Sequence, residues 1–410
     1  MSPHPAGRPP RLLVFSEGAL SRSHGTGAIF ARNFSAYPRE QLANWFVGGA
    51  DDPLFPDALN LSPFRWPRSP FSPPTTLIAK LWNRCGLRPP WSVVNLAALR
   101  DAARAQAFGP DLVYAIVHSR EGIDALRGVR AGLPGHVRTV LQIQDYFPHG
   151  SFGFYRALRR LAPHITEVWG VSRSILADVA PHLPGVPQHF DPLCHLDLPA
   201  EPKTQHRTFG PGFRAVVIGN FWNPALLSDL SATWRVLQAR LPGLGPVSWH
   251  CHPAGLERVR ASGFAAGPEV TPAPFLTGDA LFAALRNADL ALIPFSRQDE
   301  PSSDYERFSM PSRLTELCAA GLPVFCLTGR GTPLHDYVSD HDLARGAPAG
   351  DATLAAKGLE ELILDPAARM RLGAAARRHA EQHFQLRPFQ QWLGERFLSI
   401  AANESIDRGN

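Results

Sequence analysis

The chain has 410 residues, 44% of them hydrophobic and 19% charged, with a formal net charge of +5. That length exceeds what one hydrophobic core supports and predicts two domains. No apolar run reaches the length of a membrane span, Met1 to Pro10 lacks an apolar signal core, and the five cysteines have no CxxC spacing, which excludes a disulfide framework and leads us to expect a cytoplasmic protein.

The charge is uneven. Residues 1–195 carry 20 Lys and Arg against 13 Asp and Glu, net +7, whereas residues 196–410 carry 21 against 23, net −2. The basic first half suggests that an anionic surface or substrate approaches from that side.

In chain order, Arg11 to Phe15 reads as a buried strand. It is followed by a loop containing Gly25 and Gly27 and a helix from Ala28 to Phe34, the start of a βαβ unit. A dinucleotide fingerprint would need glycine at position 30, which is Phe30, so an NAD site is disfavoured. Residues 58–100 stand apart, with no acidic residue between Asp57 and Asp101. Arg65, Arg68, Lys80, Arg84, Arg88 and Arg100 are interleaved there with Phe64, Trp66, Phe71, Trp82 and Trp91. Such a mixture suits an anionic membrane surface, with the protein peripheral at the inner face. The alternative is a Pro-rich insertion with buried rings and solvated arginines, and nucleic acid is not expected.

Further strands are expected at Leu112 to Val117, Val137 to Ile143 and Thr166 to Val171, the last followed by a helix capped by Ser172. Polar side chains follow these strand ends. Because the carboxyl ends of parallel strands form the binding crevice, His118, Asp145 and His149 are the catalytic or acceptor-site candidates. Four prolines within residues 191–212 mark a linker, placed at 196–212 between domains at 1–195 and 213–385. A second α/β series then begins with the strand Arg214 to Ile218, ending in Gly219-Asn220 where phosphates could approach. It continues through a helix over Leu226 to Leu241, a strand over Val247 to Cys251 and a strand over Asp289 to Pro294.

The segment Ser309 to Phe325 has the densest pattern. Pro311 fits a helix start, Ser312 could cap it, Gly321 is a natural stop and Pro323 prevents continuation. Arg313 and Glu316 stand at i, i+3 in its first turn, which could be a surface ion pair or an anion and ribose site. His250-Cys251-His252 lacks further metal ligands at a standard spacing, and Asp340-His341-Asp342 sits in a stretch, Ser339 to Arg345, read as a strandless loop. No metal site is expected. Neither GxxxxGK[ST] nor GxSxG occurs.

These residues resemble the GT-B glycosyltransferases of the family 4 type. The resemblance rests on the Ser23–Gly27 loop, Val140 to Asp145, Thr166 to Ala177 and Asn287 to Pro294. Its most specific part is Pro311-Ser312-Arg313-Leu314-Thr315-Glu316 followed by Ala319-Ala320-Gly321-Leu322-Pro323-Val324. It implies an α/β fold of two Rossmann-like domains facing across a cleft, closed by a crossover helix and tail over 386–410. It further implies transfer of a sugar from a nucleotide diphosphate donor to a lipid-linked or saccharide acceptor, retaining, without metal or other cofactor. Under that resemblance Gly25 and Gly27 form the acceptor loop. Glu316 binds the ribose, Arg313 neutralises the diphosphate with donors near Ser312, and Gly219 and Asn220 lie under the phosphates. The chain departs from the family in two places. The residue eight before Glu316 is Phe308, which leaves Glu306 as a nearby acidic donor-site candidate, and Asn220 to Pro224 lacks the usual basic pair, for which Arg297 or Arg307 could compensate. A GT-B sugar-nucleotide epimerase and a non-catalytic GT-B binding subunit are the alternatives.

Overall fold

The computed structural model describes residues 8–16, 25–46, 59–61, 104–144, 153–191, 194–203, 207–263 and 267–402. Asp145, His149, the Ser23 and His24 part of the glycine loop, and all of 58–100 except 59–61 lie outside the described residues. The chain divides into two compact units, residues 1–192 with 387–410, and residues 193–386.

The first unit holds a parallel sheet of seven strands: β1 (Leu12–Ser16), β2 (Leu42–Phe46), β3 (Leu59–Leu61), β4 (Leu112–Val117), β5 (Arg138–Ile143), β6 (Glu167–Gly170) and β7 (Gln188–Phe190). Their order is β3-β2-β1-β4-β5-β6-β7. The central strands β1 and β4 are buried along their whole length, as strands covered on both faces must be. Helix α1 (Gly25–Asn33) starts three residues earlier than the sequence pattern suggested, so Gly25 and Gly27 fall in its first turn rather than in the preceding loop. Helices α2 (Arg120–Ala131), α3 (Phe154–Leu161) and α4 (Arg173–Val179) follow β4, β5 and β6. Ser119 and Ser172 cap α2 and α4 by accepting from Gly122 N–H and Ile175 N–H.

The second unit repeats the pattern with six strands: β8 (Ala215–Ile218), β9 (Val247–His250), β10 (Val270–Ala273), β11 (Leu290–Pro294), β12 (Val324–Leu327) and β13 (Ala344–Ala347). Their order, β10-β9-β8-β11-β12-β13, turns around at β8 as the first sheet turns at β1. Its helices are α5 (Ala225–Arg240), α6 (Pro253–Ala261), α7 (Gly278–Asn287), α8 (Asp304–Phe308), α9 (Arg313–Ala320), α10 (Pro333–Asp340), α11 (Ala352–Leu364) and α12 (Pro366–His383). Its core is built from Val217, Trp234, Trp249, Leu292 and Phe325 with their neighbours. The stretch read as strandless, Ser339 to Arg345, instead enters β13 at Ala344. The sequence Ala-Arg-Gly-Ala has no hydrophobic alternation, and backbone pairing with β12 alone makes it a strand.

The last helix, α13 (Leu386–Ala402), belongs almost entirely to the first unit. Its Phe397 packs on Tyr114, Phe34 and Trp169, with ring centroids 5.6, 6.4 and 5.9 Å apart, and its Trp392 lies 5.2 Å from Trp169. Arg396 pairs with the buried Glu167, which also accepts from Trp169 Nε1 at 2.9 Å. Arg396 thus compensates a carboxylate that burial alone would penalise. Within the second unit, Leu196 N–H donates to Phe384 O at 2.9 Å and Leu386 N–H to Leu196 O at 3.1 Å.

Candidate functional site

The end of β8 and the start of α9 bring Gly219, Asn220, Arg313 and Glu316 together in the second unit, whereas Glu306 is drawn into α8. Helix α9 follows β11 after the short α8. Leu314 N–H closes its first turn on Pro311 O at 3.1 Å, which leaves the N–H groups of Ser312 and Arg313 free of intrahelical acceptors. Ser312 stands at the N-cap position but does not cap. Its backbone is already helical (φ −56°, ψ −29°), and a side-chain cap needs an extended residue there. Its carbonyl instead accepts from Thr315 Oγ1 at 2.9 Å. The helix stops as expected at Gly321, left-handed with φ 67°, with Leu322 N–H donating back to Leu317 O.

Arg313 reaches across to the end of β8. Its Nη1 donates to Ile218 O at 2.9 Å and its Nη2 to Asn220 O at 2.8 Å. Gly219 lies directly beneath the guanidinium, and a Cβ there would come within 3.4 Å of its central carbon. Burial among these groups lowers the Arg313 pKa from its usual value, opposed by Tyr305 and by the Glu316 carboxylate. Gly219 takes φ 84°, its N–H donates to His250 O at 2.9 Å and its carbonyl accepts from Trp249 Nε1 at 2.8 Å. The Asn220 side chain turns toward Gly255 in α6, where an added Cβ would overlap its amide.

Several contributors here escape sequence reasoning. Arg258 of α6 donates from Nη2 to Phe221 O at 2.6 Å. Trp222 stacks on Tyr305 at 4.8 Å, its Nε1 donating to Phe295 O at 2.9 Å, which ties the loop after β8 to α8. Only Gly255, a bare residue in a helix start, could have hinted at a close neighbour.

The compensating cations suggested by the sequence are otherwise engaged or placed elsewhere. Arg297 makes a two-pronged pair with Asp229 at 2.6 and 3.1 Å, which raises its pKa, and Arg307 is an exposed residue of α8. Glu306 is wholly buried. Its Oε2 accepts from the Ser302 N–H and hydroxyl, while its own N–H donates to Ser303 Oγ, the N-cap of α8. It therefore helps to fix the start of that short helix, holding Ser302 while Ser303 caps its own N–H. In the first unit, His118 follows β4, and its Nδ1 lies 2.8 Å from Gln144 O at the end of β5. A carbonyl only accepts, so Nδ1 carries the proton in the neutral ring. His250 Nδ1 contacts Pro274 O, and His252 caps α6 by accepting from Ala254 N–H. Among the described residues no group of three or more His, Cys, Asp or Glu could hold a metal, and no helix is long and apolar enough to cross a membrane.

No family model and no curated protein matches the chain. Solved structures do. The two Rossmann-like sheets and the returning helix define the GT-B fold, and the similar structures are GT-B proteins. Sucrose-phosphate synthase from Thermosynechococcus elongatus is 14% identical, covers 96% of this chain and 100% of its own, and has a TM-score of 0.65. HepE of Anabaena, solved in complex with UDP, is 13% identical over 95% of this chain and 100% of its own, with a TM-score of 0.61. The trehalose-6-phosphate protein of E. coli bound with UDP-2-fluoro glucose is 11% identical over 95% and 99%, with a TM-score of 0.60. At these identities the likeness is one of fold.

Proposed function

We propose that the chain is a glycosyltransferase that takes a sugar from a nucleotide diphosphate donor and passes it to a saccharide or lipid-linked acceptor, with retention and without a metal. The observation that supports this best is the convergence at the head of α9. Arg313, Glu316 and Gly219 are brought together at a strand–helix junction of the second unit, the place where an open α/β sheet receives a phosphorylated ligand. Glu316 would accept from the ribose hydroxyls. The N–H groups at Ser312 and Arg313, with the positive field of Arg313 and the helix dipole, would stabilise the departing diphosphate. Solved proteins of the same fold hold UDP, or UDP and glucose, which agrees with a nucleotide-sugar donor. In the first unit, His118, whose Nδ1 lies against Gln144 O at the end of β5, would stand on the acceptor side.

A thermal-shift screen with nucleoside diphosphates tests the donor site. A ligand present at 100 times its dissociation constant adds about 2.7 kcal/mol of stability. At least one diphosphate should raise the melting temperature, and Glu316→Ala should abolish the rise. A flat response to every nucleotide would remove the donor reading.

A further inference from the structure

Every peptide unit carries one donor and one acceptor, so each group in the loop after β8 can be accounted for. Four successive carbonyls are taken by side chains from three other elements. Ile218 O and Asn220 O accept from Arg313, Gly219 O from Trp249 and Phe221 O from Arg258, at distances of 2.9, 2.8, 2.8 and 2.6 Å in that order of naming. The N–H groups are treated differently. Gly219 N–H donates to His250 O, but among the described residues no protein acceptor takes the N–H of Asn220, Phe221 or Trp222. In a trans peptide the N–H points opposite its carbonyl. With the carbonyls of residues 219, 220 and 221 turned onto Trp249, Arg313 and Arg258, the next N–H in each case turns away from those side chains. Over residues 219–221 the loop therefore turns its carbonyls onto side chains and leaves the three following N–H groups as donors. A sugar hydroxyl can donate as well as accept, whereas a phosphate oxygen at neutral pH accepts only, so this surface suits an anion.

We infer that the Asn220–Trp222 backbone is the anion-binding part of the donor site, and that Arg313 and Arg258 are positioning residues that hold its carbonyls away rather than ligands of the phosphates. The inference rests on the donor reading above and assigns its chemistry. It also accounts for the absence of Lys and Arg from residues 220–223, because backbone donors take over the role of a basic pair. Gly219 is part of the device. Its left-handed φ of 84° and missing Cβ let the chain turn directly beneath the Arg313 guanidinium. The amide of Asn220 is folded back against Gly255.

The test is amide NMR on the full ¹⁵N-labelled chain, titrated separately with inorganic pyrophosphate and with UDP. The expected result is a saturable shift of the Phe221 and Trp222 amides with both probes. Arg313→Lys keeps the charge but cannot fork two carbonyls, and it should weaken pyrophosphate binding about tenfold and lose those shifts. Arg258→Gln and Trp249→Phe each free one carbonyl and should weaken binding in the same direction. They keep the inference testable if Arg313→Lys does not fold, which the spectrum without ligand reveals. Binding by Arg313→Lys within a factor of two of the parent would overturn the positioning role. If UDP and pyrophosphate bind while the amides of residues 220–222 stay still, the backbone site is wrong and the donor reading survives. If neither probe binds at millimolar concentration, the backbone site is wrong, and the donor reading falls with it when the screen of the other nucleoside diphosphates is also flat.

Discussion

Gly219 shows how much one residue can be asked to do. It ends β8, adopts φ 84°, donates to His250 O, accepts from Trp249 and supports Arg313. A side chain in that conformation costs about 1–2 kcal/mol, and the guanidinium 3.4 Å from the new Cβ leaves little room to relax. Gly219→Ala should therefore lower the urea midpoint by an amount equivalent to about 1–2 kcal/mol, measured by circular dichroism, and weaken diphosphate binding in the same variant. The sequence reached this glycine because a Gly-Asn pair at a strand end is a local signal. It could not reach Arg258 or Trp249, whose bonds to the loop span 37 and 30 residues, because nothing in a single chain's spacing encodes which distant donor meets which carbonyl. Ser312 failed differently. Its type suits a cap, but a proline just before it starts the turn one residue early and leaves its backbone helical.

At the scale of elements, the continuous apolar strands were legible, whereas the edges and the inner strand β2, interrupted by Asn44, were not. β4, β11 and β12 are continuous apolar runs, buried on both faces, and their sequences announce them. β10 contains Pro272 and β13 reads Ala-Arg-Gly-Ala. Both lie at sheet edges, where a missing donor or side chain is tolerated and pairing with the inner neighbour decides the conformation.

The packing of α10 on α12 carries a pH dependence of its own. His379 is buried in α12, with Nε2 2.7 Å from the Tyr337 hydroxyl of α10, and the His341 and His383 rings lie 4.6 and 4.5 Å from it. Burial, followed by the two neighbouring imidazoles, pushes its pKa from 6.5 down to about 4. The folded state thus refuses a proton that the unfolded chain accepts below pH 6.5. The stability held by neutral His379 is complete above pH 6.5, falls as the pH drops toward 4 and is lost below that. Melting temperature recorded from pH 7.5 to 4 should decline, and His379→Gln should flatten the decline between pH 6.5 and 4. An unchanged profile in the variant would remove His379 as its source.

On the scale of the whole molecule, each unit has a core of its own but only one is continuous in sequence. Residues 193–386 contain their whole sheet and helices, and the Leu196–Gln385 bridge ties their two ends side by side. The first unit is split, because Phe397, Trp392 and Arg396 complete a core whose strands end at Phe190. Truncating a large buried aromatic costs about 3–5 kcal/mol, a third or more of a typical domain's stability, and losing the whole helix removes several such contacts. A fragment of residues 194–386 should therefore unfold cooperatively in urea and retain diphosphate binding. A fragment of residues 1–192 should lack a cooperative transition until a peptide covering 387–410 is added. A cooperative transition in the 1–192 fragment alone would show that the last helix is dispensable.

Helix α13 also sets an order of events during synthesis. Domains tend to fold in the order in which they leave the ribosome, amino-terminal first. Here the Trp169 and Tyr114 rings must wait, partly uncovered, for more than two hundred further residues before Trp392 and Phe397 emerge to cover them, and at ordinary elongation rates that is a delay of about 10–60 s. The unit begun first is finished last. Its nascent form, with an aromatic face open and no partner yet made, is the stage at which a chaperone would have the most to hold.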